Sequence, residues 1–187
     1  MIERELKILL TKEQYEFIRS HFMRKCEETH QINHYFDTDD FQMNEIGITC
    51  RIREVNGHCT ATIKSHSSFI PGESLEKSKE ACDRWDISLF ENLKVSFKGS
   101  LATKRLSKTI SEGLTLFLDE SLYLGIRDYE LEIEYSKGKY DKARRELLSI
   151  AHSLNDYGLV ESEYEFINRL NETHNKSYRF FATLKGR

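Results

Sequence analysis

The chain has 187 residues, a length that suits one domain with a single buried core. Its formal net charge of −3 lacks the positive excess of nucleic-acid-binding proteins, so we expect no nucleic-acid partner. No segment approaches the roughly 20 consecutive apolar residues of a membrane span, so we expect no membrane partner. Four charged side chains among the first ten residues argue against a secretory signal, and the four cysteines form no CxxC pair. We therefore expect a cytoplasmic protein with reduced thiols, folded as one domain over residues 1–187.

The chain begins with a predicted strand followed by a predicted helix. In residues 1–10 apolar and charged side chains alternate with period two, which indicates a strand. Thr11 and Gln14 have the spacing of a capping box, which predicts that a helix begins at this point. Residues spaced by three and four give that helix one apolar face: Tyr15, Ile18 and Phe22.

Strand patterns dominate the middle of the chain. The predicted strands cover residues 34–38, 48–54, 59–64, 72–77, 94–97, 101–109, 114–119 and 129–135. Asn56-Gly57 predicts a hairpin turn between the second and third of these strands, and residues 65–72, which include Pro71, predict a loop. A helix over residues 79–93 is predicted from the spacing of three apolar residues, Trp85, Leu89 and Leu93.

Two further helices are predicted near the end of the chain. Asp141 is expected to cap a helix that stops at Gly158, with Leu147, Leu148, Ala151 and Leu154 on its apolar face. Residues 163–172 have helical spacing as well. Eight or nine strands and four helices predict an α+β fold dominated by antiparallel sheet.

The predicted strand that follows residue 128 carries three carboxylates on one face. Glu130, Glu132 and Glu134 alternate with apolar residues, so their side chains point to the same side of the sheet. Carboxylates spaced ~7 Å apart along one strand face repel one another. A cation among these carboxylates would offset that repulsion, so the pattern favours a cation site.

Other predicted strands segregate charge in the same way. Charged side chains share one strand face in three places: Glu3, Glu5 and Lys7; Arg51 and Arg53; and Lys64 in line with Thr60 and Thr62. Each strand taken alone is also compatible with a solvent-facing edge whose charges suppress aggregation. If instead the sheet closes into a barrel, these faces line a lumen of small-ligand size. Carboxylates suit Mg²⁺ or Mn²⁺, and arginine and lysine suit polyphosphate, so such a lumen would hold a metal and a polyphosphate.

The motif Glu3-x-Glu5-x-Lys7 resembles the ExExK signature of the CYTH superfamily, also called triphosphate tunnel metalloenzymes. Further segments resemble this family in the same order along nearly the whole chain. They are Tyr35-Phe36-Asp37-Thr38, Arg51-Ile52-Arg53, Thr62-Ile63-Lys64, Arg105, Leu118-Asp119, Tyr123-Leu124-Gly125, Glu130-Leu131-Glu132-Ile133-Glu134, Lys176 and Arg179. Length and order are most similar to the bacterial YjbK-like branch.

The resemblance implies an eight-stranded antiparallel closed β-barrel, a tunnel with a charged lumen flanked by helices. It also implies a hydrolase that binds a small triphosphate with one or two divalent ions, Mg²⁺ or Mn²⁺. The implied phosphate-binding residues are Lys7, Arg51, Arg53, Lys64, Arg105, Lys176 and Arg179. The implied metal ligands are Glu3, Glu5, Glu130, Glu132 and Glu134, with Glu76 and Asp119 as additional candidates. Glu5, Glu132 and Glu134 are the candidate catalytic residues.

The resemblance leaves alternatives open. The segment from Glu76 to Glu80 departs from the R-x-E form of many family members, so the acid contributed by this strand is not assigned. The triphosphate is inorganic tripolyphosphate, thiamine triphosphate or a nucleoside triphosphate. Class IV adenylyl cyclases share the implied fold, so cyclisation of ATP is an alternative reaction. A sensor that binds polyphosphate or nucleotide without turnover is the non-enzymatic alternative.

Overall fold

The computed structural model describes residues 2–66, 73–171 and 174–186. In these residues the strands are β1 Ile2–Leu10, β2 Glu27–Asp37, β3 Ile48–Val55, β4 His58–His66, β5 Glu73–Ala81, β6 Ser96–Ser111, β7 Leu114–Tyr123 and β8 Ile126–Tyr135. The helices are α1 Lys12–His21, α2 Gln42–Glu45, α3 Tyr140–Asp156, α4 Glu163–Asn168 and α5 Lys176–Lys185. None of these helices combines the length and the apolar character needed to cross a membrane.

The eight described strands form a closed antiparallel barrel in the order β1-β5-β4-β3-β2-β6-β7-β8, which confirms the predicted fold. Closure depends on β1, which pairs with a different neighbour along each half of its length. Residues 2–4 pair with residues 73–75 of β5, and residues 5–10 pair with residues 129–134 of β8. Among the described residues, β5 has no partner in β1 from Glu76 onward, so one side of the described barrel wall is open at this level.

Strand register places the charged faces on the inside of the barrel. Directly opposed residues of an antiparallel pair point to the same side of a sheet. Glu5 opposes Glu134, Lys7 opposes Glu132, and Arg53 opposes Thr60. The alternation of period two therefore directs these charged side chains into the lumen and the apolar residues between them outward.

Helices α1, α3 and α4 cover the outward apolar residues of β1, β6, β7 and β8. Ile18, Leu147 and Phe166 are fully or almost fully buried against Ile8 and Leu131. The start of α1 confirms the predicted capping box, because Thr11 and Gln14 each accept a hydrogen bond from the other's backbone N–H. This layer fixes the position of the strands that carry most of the lumen carboxylates.

The helix predicted over residues 79–93 is wrong. β5 continues to Ala81, which pairs with Cys59. In the segment after β5, two aspartate carboxylates accept hydrogen bonds from backbone N–H groups. Trp85 N–H donates to Asp83 Oδ1 at 2.7 Å, and Cys82 N–H donates to Asp86 Oδ2 at 3.0 Å. The segment forms turns and one 3₁₀ turn at Glu91–Leu93, and its apolar side chains cover the outside of β3 and β4.

Several boundaries also differ from the predicted ones. The two strands expected at 94–97 and 101–109 are the single strand β6, β2 begins seven residues earlier than expected, and α2 and α5 were not predicted. α3 begins at Tyr140, so Asp141 lies in its first turn rather than at its cap. The predicted helix at 163–172 is α4 followed by a 3₁₀ turn, Arg169–Asn171. The predicted loop residues 67–72, with Pro71, and Glu172 lie outside the described residues.

α5 fills one end of the barrel with aromatic side chains. Phe180 and Phe181 are fully buried against Tyr35, Leu101 and Tyr123, which point inward from β2, β6 and β7. The ring centroids of Tyr35 and Phe180 are 4.9 Å apart. This packing depends on a close approach to β6 at Gly99, where an added Cβ would lie 2.7 Å from Phe180 Cζ.

We expect Gly99→Ala to weaken the docking of α5, because the new methyl group would overlap the Phe180 ring and Gly99 has a φ of +146°. The loss of stability should be about 1–3 kcal/mol larger than that of the control Gly138→Ala. Gly138 also has a positive φ, +82°, but an added Cβ there meets nothing within 4 Å. Urea unfolding and hydrogen exchange of the α5 amides measure the two effects. Equal losses in both variants would contradict the proposed overlap.

Candidate active site

The barrel lumen brings most of the predicted site residues together around a small cavity of about 60 Å³. The predicted residues that line it are Glu3, Glu5, Lys7, Arg51, Arg53, Lys64, Arg105, Glu132, Glu134 and Lys176. Four predicted residues do not line this cavity: Glu76, Asp119, Glu130 and Arg179. Asp119 and Glu130 are fully buried in the wall behind it. Their roles, like those of the lining residues, stay predictions.

Six lining residues were not predicted as site residues: Gln31, Tyr35, Thr49, His66, Asn175 and Ser177. Two of them lie two residues from a predicted lumen residue, since Thr49 precedes Arg51 and His66 follows Lys64 on the same strand face. Burial, and then the neighbouring cations Lys64 and Lys7, lower the pKa of His66 to about 4, so its imidazole is neutral at neutral pH. Strand alternation alone could have found both positions.

One side of the lumen is positively charged and short of anions. Arg53 donates through Nε to Asn33 Oδ1 at 3.0 Å, and no described carboxylate lies within ion-pair distance of it. Arg51 Nη2 lies 3.5 Å from Glu76 Oε2, while the buried Arg51 Nε has no partner among the described residues. Burial and the neighbouring guanidinium groups lower the pKa of Arg53 to about 10. This side of the lumen can therefore accept an anion.

The β1 side of the lumen contains two ion pairs. Lys7 contacts Glu5, and Lys64 contacts Glu3 while lying 3.8 Å from Glu5. Burial opposes the charge of Lys7, but Glu5, Glu132 and Glu130 together outweigh it and raise the pKa of Lys7. Lys7 therefore stays charged.

On this side of the lumen, no described cation lies within ion-pair distance of the Glu134 carboxylate. Burial, and then repulsion from Glu3 and Glu132, raise the pKa of Glu134 to about 7. Carboxylate oxygens of Glu3, Glu5 and Glu134 lie within 4.8 Å of one another. This all-oxygen set with one unmatched carboxylate fits a hard divalent cation such as Mg²⁺ or Mn²⁺.

A second acidic cluster consists of Asp119, Glu130 and Glu132, whose carboxylate oxygens also lie within 4.8 Å of one another. The ammonium group of Lys176 sits among them, 2.8 Å from Asp119 Oδ2 and 2.8 Å from Glu132 Oε1, and it also contacts Glu130. Burial opposes ionisation of Glu132, but Lys176, Arg105 and Lys7 together with the hydrogen bond to Glu130 outweigh it and hold the pKa of Glu132 well below its usual range. The repulsion along β8 is thus offset by a lysine at this cluster.

Two arginines complete the second cluster. Arg105 donates to Asp119 at 2.8 and 2.6 Å and also contacts Glu132. Arg179 Nη1 donates to Glu130 Oε2 at 2.7 Å, and its Nε donates to Asp128 Oδ2 at 2.9 Å. Arg105 and Arg179 therefore bind carboxylates in this structure, as Lys176 does.

The open side of the barrel wall leads into a larger cavity of about 640 Å³. Glu3 and Glu134 line both this outer cavity and the lumen, so the first acidic cluster lies at the boundary between them. Glu76 of β5 and Tyr135 of β8 form part of the outer wall. A ligand too large for the lumen can therefore reach the first cluster from the outer cavity.

Comparison with known proteins assigns this architecture to a family. The family model described as the CYTH domain matches residues 1–159. The chain belongs to the CYTH family. The match covers all eight strands, whereas α5 and its Lys176 lie beyond the matched residues.

Individual CYTH proteins have similar sequences and structures. YjbK of Bacillus subtilis (strain 168), named as a candidate triphosphatase, is 34% identical over 147 residues, covering 71% of this chain and 77% of YjbK. The crystal structure of a candidate adenylate cyclase from Bacillus halodurans has a TM-score of 0.70 and 27% identity, covering 96% of this chain and 97% of that chain. HpAC1 from Hippeastrum, a candidate adenylyl cyclase described as having a dominant triphosphatase activity, has a TM-score of 0.63 and 21% identity, covering 84% and 88% of the two chains.

The raised pKa of Glu134 predicts that divalent metal binding depends on pH. Near pH 6 a metal ion must displace a proton from Glu134, whereas near pH 8 the carboxylate is already ionised. With a pKa of about 7, Mn²⁺ affinity should be about tenfold weaker near pH 6 than near pH 8. Isothermal titration calorimetry of the substrate-free protein measures this difference. Glu134→Gln should weaken binding and remove the pH dependence, and equal wild-type affinity at both pH values would contradict the assignment.

Proposed function

We propose that this protein is a divalent-metal-dependent hydrolase of a small triphosphate compound bound in the barrel lumen. The observation that carries the proposal is the missing charge partner on each side of the lumen. Arg53 lacks a carboxylate and Glu134 lacks a cation among the described residues. Burial, and then neighbouring like charges, lower the pKa of Arg53 and raise the pKa of Glu134, so the charged form of each side chain is destabilised in the ligand-free protein.

A triphosphate with a divalent ion carries both missing charges. Its phosphate oxygens would bind the guanidinium groups of Arg51 and Arg53 in bidentate pairs, with Lys7 and Lys64 as additional cations. Glu3, Glu5 and Glu134 would hold Mg²⁺ or Mn²⁺ beside these phosphates. A bound divalent ion would supply neutralisation of phosphate charge and activation of a water molecule.

The remaining predicted residues have supporting roles in this proposal. Glu132 contacts Arg105 and Lys176, so its proposed role is to position these two cations. Arg105, Lys176 and Arg179 would reach a phosphate only by exchanging a carboxylate partner for it. Neither Glu76 nor Asp119 is proposed as a metal ligand, because Glu76 lies near Arg51 and Asp119 binds Arg105 and Lys176.

Related proteins support a triphosphatase over the alternatives. The Bacillus subtilis relative is named as a candidate triphosphatase, and HpAC1 is described by a dominant triphosphatase activity. Cyclisation of ATP is the second candidate, because the similar Bacillus halodurans protein is named as a candidate adenylate cyclase. The outer cavity, of about 640 Å³, is the larger of the two adjoining cavities, so ATP would place its adenosine there and its phosphates towards the lumen cavity of about 60 Å³.

A product assay separates these functions. The purified protein is incubated with Mg²⁺ or Mn²⁺ and with tripolyphosphate, thiamine triphosphate or ATP, and orthophosphate, pyrophosphate and cyclic AMP are measured. Orthophosphate release that stops with excess chelator supports the proposal. Cyclic AMP with pyrophosphate would support the cyclase, and tight binding without any product would support a sensor.

We expect Arg53→Gln and Glu134→Gln to impair catalysis in different ways. Loss of the Arg53 guanidinium removes charged hydrogen bonds worth about 1.5–3 kcal/mol, so KM should rise about ten- to a hundredfold. Glu134→Gln should mainly lower kcat and raise the Mn²⁺ concentration needed for half-maximal activity. Steady-state kinetics at several Mn²⁺ concentrations measure both effects.

Matched surface variants serve as controls for these two changes. Arg127→Gln removes a half-exposed arginine that pairs with Glu120 on the outside of the barrel. Glu161→Gln removes an exposed carboxylate in the segment before α4. Both controls should keep wild-type kinetics, and wild-type kinetics in Arg53→Gln would remove that residue from the proposed phosphate site.

A further inference from the structure

The two acidic clusters of the barrel differ in the protein cations that already contact their carboxylates. The cluster of Glu3, Glu5 and Glu134 has two lysines for three carboxylates, whereas the cluster of Asp119, Glu130 and Glu132 has a lysine at its centre. We propose that the Lys176 ammonium group takes the place of a second divalent ion, so that the substrate-free protein binds one divalent ion, at Glu3, Glu5 and Glu134. The inference rests on the proposed function and specifies how many ions its site takes.

The contacts of Lys176 are those expected of a cation held by three carboxylates. Its Nζ lies 2.8 Å from Asp119 Oδ2, 2.8 Å from Glu132 Oε1 and in contact with Glu130. The ammonium group donates hydrogen bonds to Glu130 and Glu132 and forms an ion pair with Asp119, so all three carboxylates of the cluster share it. A divalent ion bound to the same oxygens would overlap this nitrogen, so the two cations exclude each other.

Charge balance also disfavours a metal at the second cluster. Three cations, Lys176, Arg105 and Arg179, contact its three carboxylates. A divalent ion would add charge to a site whose carboxylates are already matched, at the cost of its own hydration.

Packing of α5 keeps the ammonium group at this position. Phe180 and Phe181 anchor the helix in the barrel, Asn175 caps it by accepting the Tyr178 N–H at 2.8 Å, and Ser177 contacts Thr49 at 2.7 Å. Lys176 is therefore an intramolecular cation, whose effective concentration at the cluster reaches the millimolar range or above. A free divalent ion has to compete with that concentration.

Removal of the ammonium group should open the second cluster to a metal. Mn²⁺ is titrated into the substrate-free full-length chain, and bound and free ions are distinguished by electron paramagnetic resonance. We expect one bound ion in the wild type and two in Lys176→Met, which keeps the length of the side chain and removes its charge. The control Lys185→Met, at the other end of α5, should bind one ion.

Carboxylate variants test the same inference in a chain that retains Lys176. Asp119→Asn should leave one bound ion with unchanged affinity, whereas Glu134→Gln should weaken or abolish that ion. In Lys176→Met, the added Asp119→Asn substitution should return the count from two to one. These measurements keep the inference testable if Lys176→Met alone folds poorly.

Two bound ions in the wild type would overturn the role of Lys176 while leaving the proposed hydrolase intact. Loss of the wild-type ion in Asp119→Asn, with retention in Glu134→Gln, would also overturn it, because the ion would then lie at the second cluster. A wild type that binds no Mn²⁺ would overturn both this inference and the proposed metal dependence. Triphosphate hydrolysis measured on the same samples separates failure of the ion count from failure of the proposed activity.

Discussion

The arrangement of the site depends on the way β1 closes the barrel. Its first residues pair with β5 and its later residues pair with β8, so one short strand joins the two ends of the sheet. This shared pairing places Glu3 beside Lys64 and Glu5 opposite Glu134. It also leaves the rest of β5 unpaired on that side, which opens the wall to the outer cavity. The first acidic cluster and its access from outside therefore have one structural cause.

The alternation of side chains along each strand predicted which charged residues share a face, whereas the closed barrel that brings those faces together was implied by the family resemblance. Charged residues of one parity in β1 and β8 point inward because α1, α3 and α4 cover the apolar residues of the other parity. The same holds for β3, whose outer apolar residues are covered by the segment after β5. Alternation also limits the register between strands, since a slip of one residue would bury the charges against the apolar covering layer.

The sequence was not sufficient where long-range contacts decide the structure. Helical spacing in residues 79–93 was misleading, because Asp83 and Asp86 bind the local backbone and the apolar residues pack onto β3 and β4. α5 was missed because its apolar side chains, Phe180 and Phe181, are adjacent in sequence rather than spaced along a stripe. The carboxylate partners of Lys176 lie 44 or more residues away and could not be read from spacing.

In the second cluster every carboxylate contacts a cation, whereas elsewhere in the lumen Arg53 and Glu134 have no described partner of opposite charge within ion-pair distance. Matched buried charges hold α5 in the barrel wall and fix the shape of the cavity. Mismatched charges destabilise the ligand-free protein, and a ligand that supplies the missing charges regains that free energy on binding. The apolar contacts outside the barrel stabilise the strands independently of the charges inside it. These contacts therefore allow the ligand-free lumen to keep unfavourable, unmatched charges.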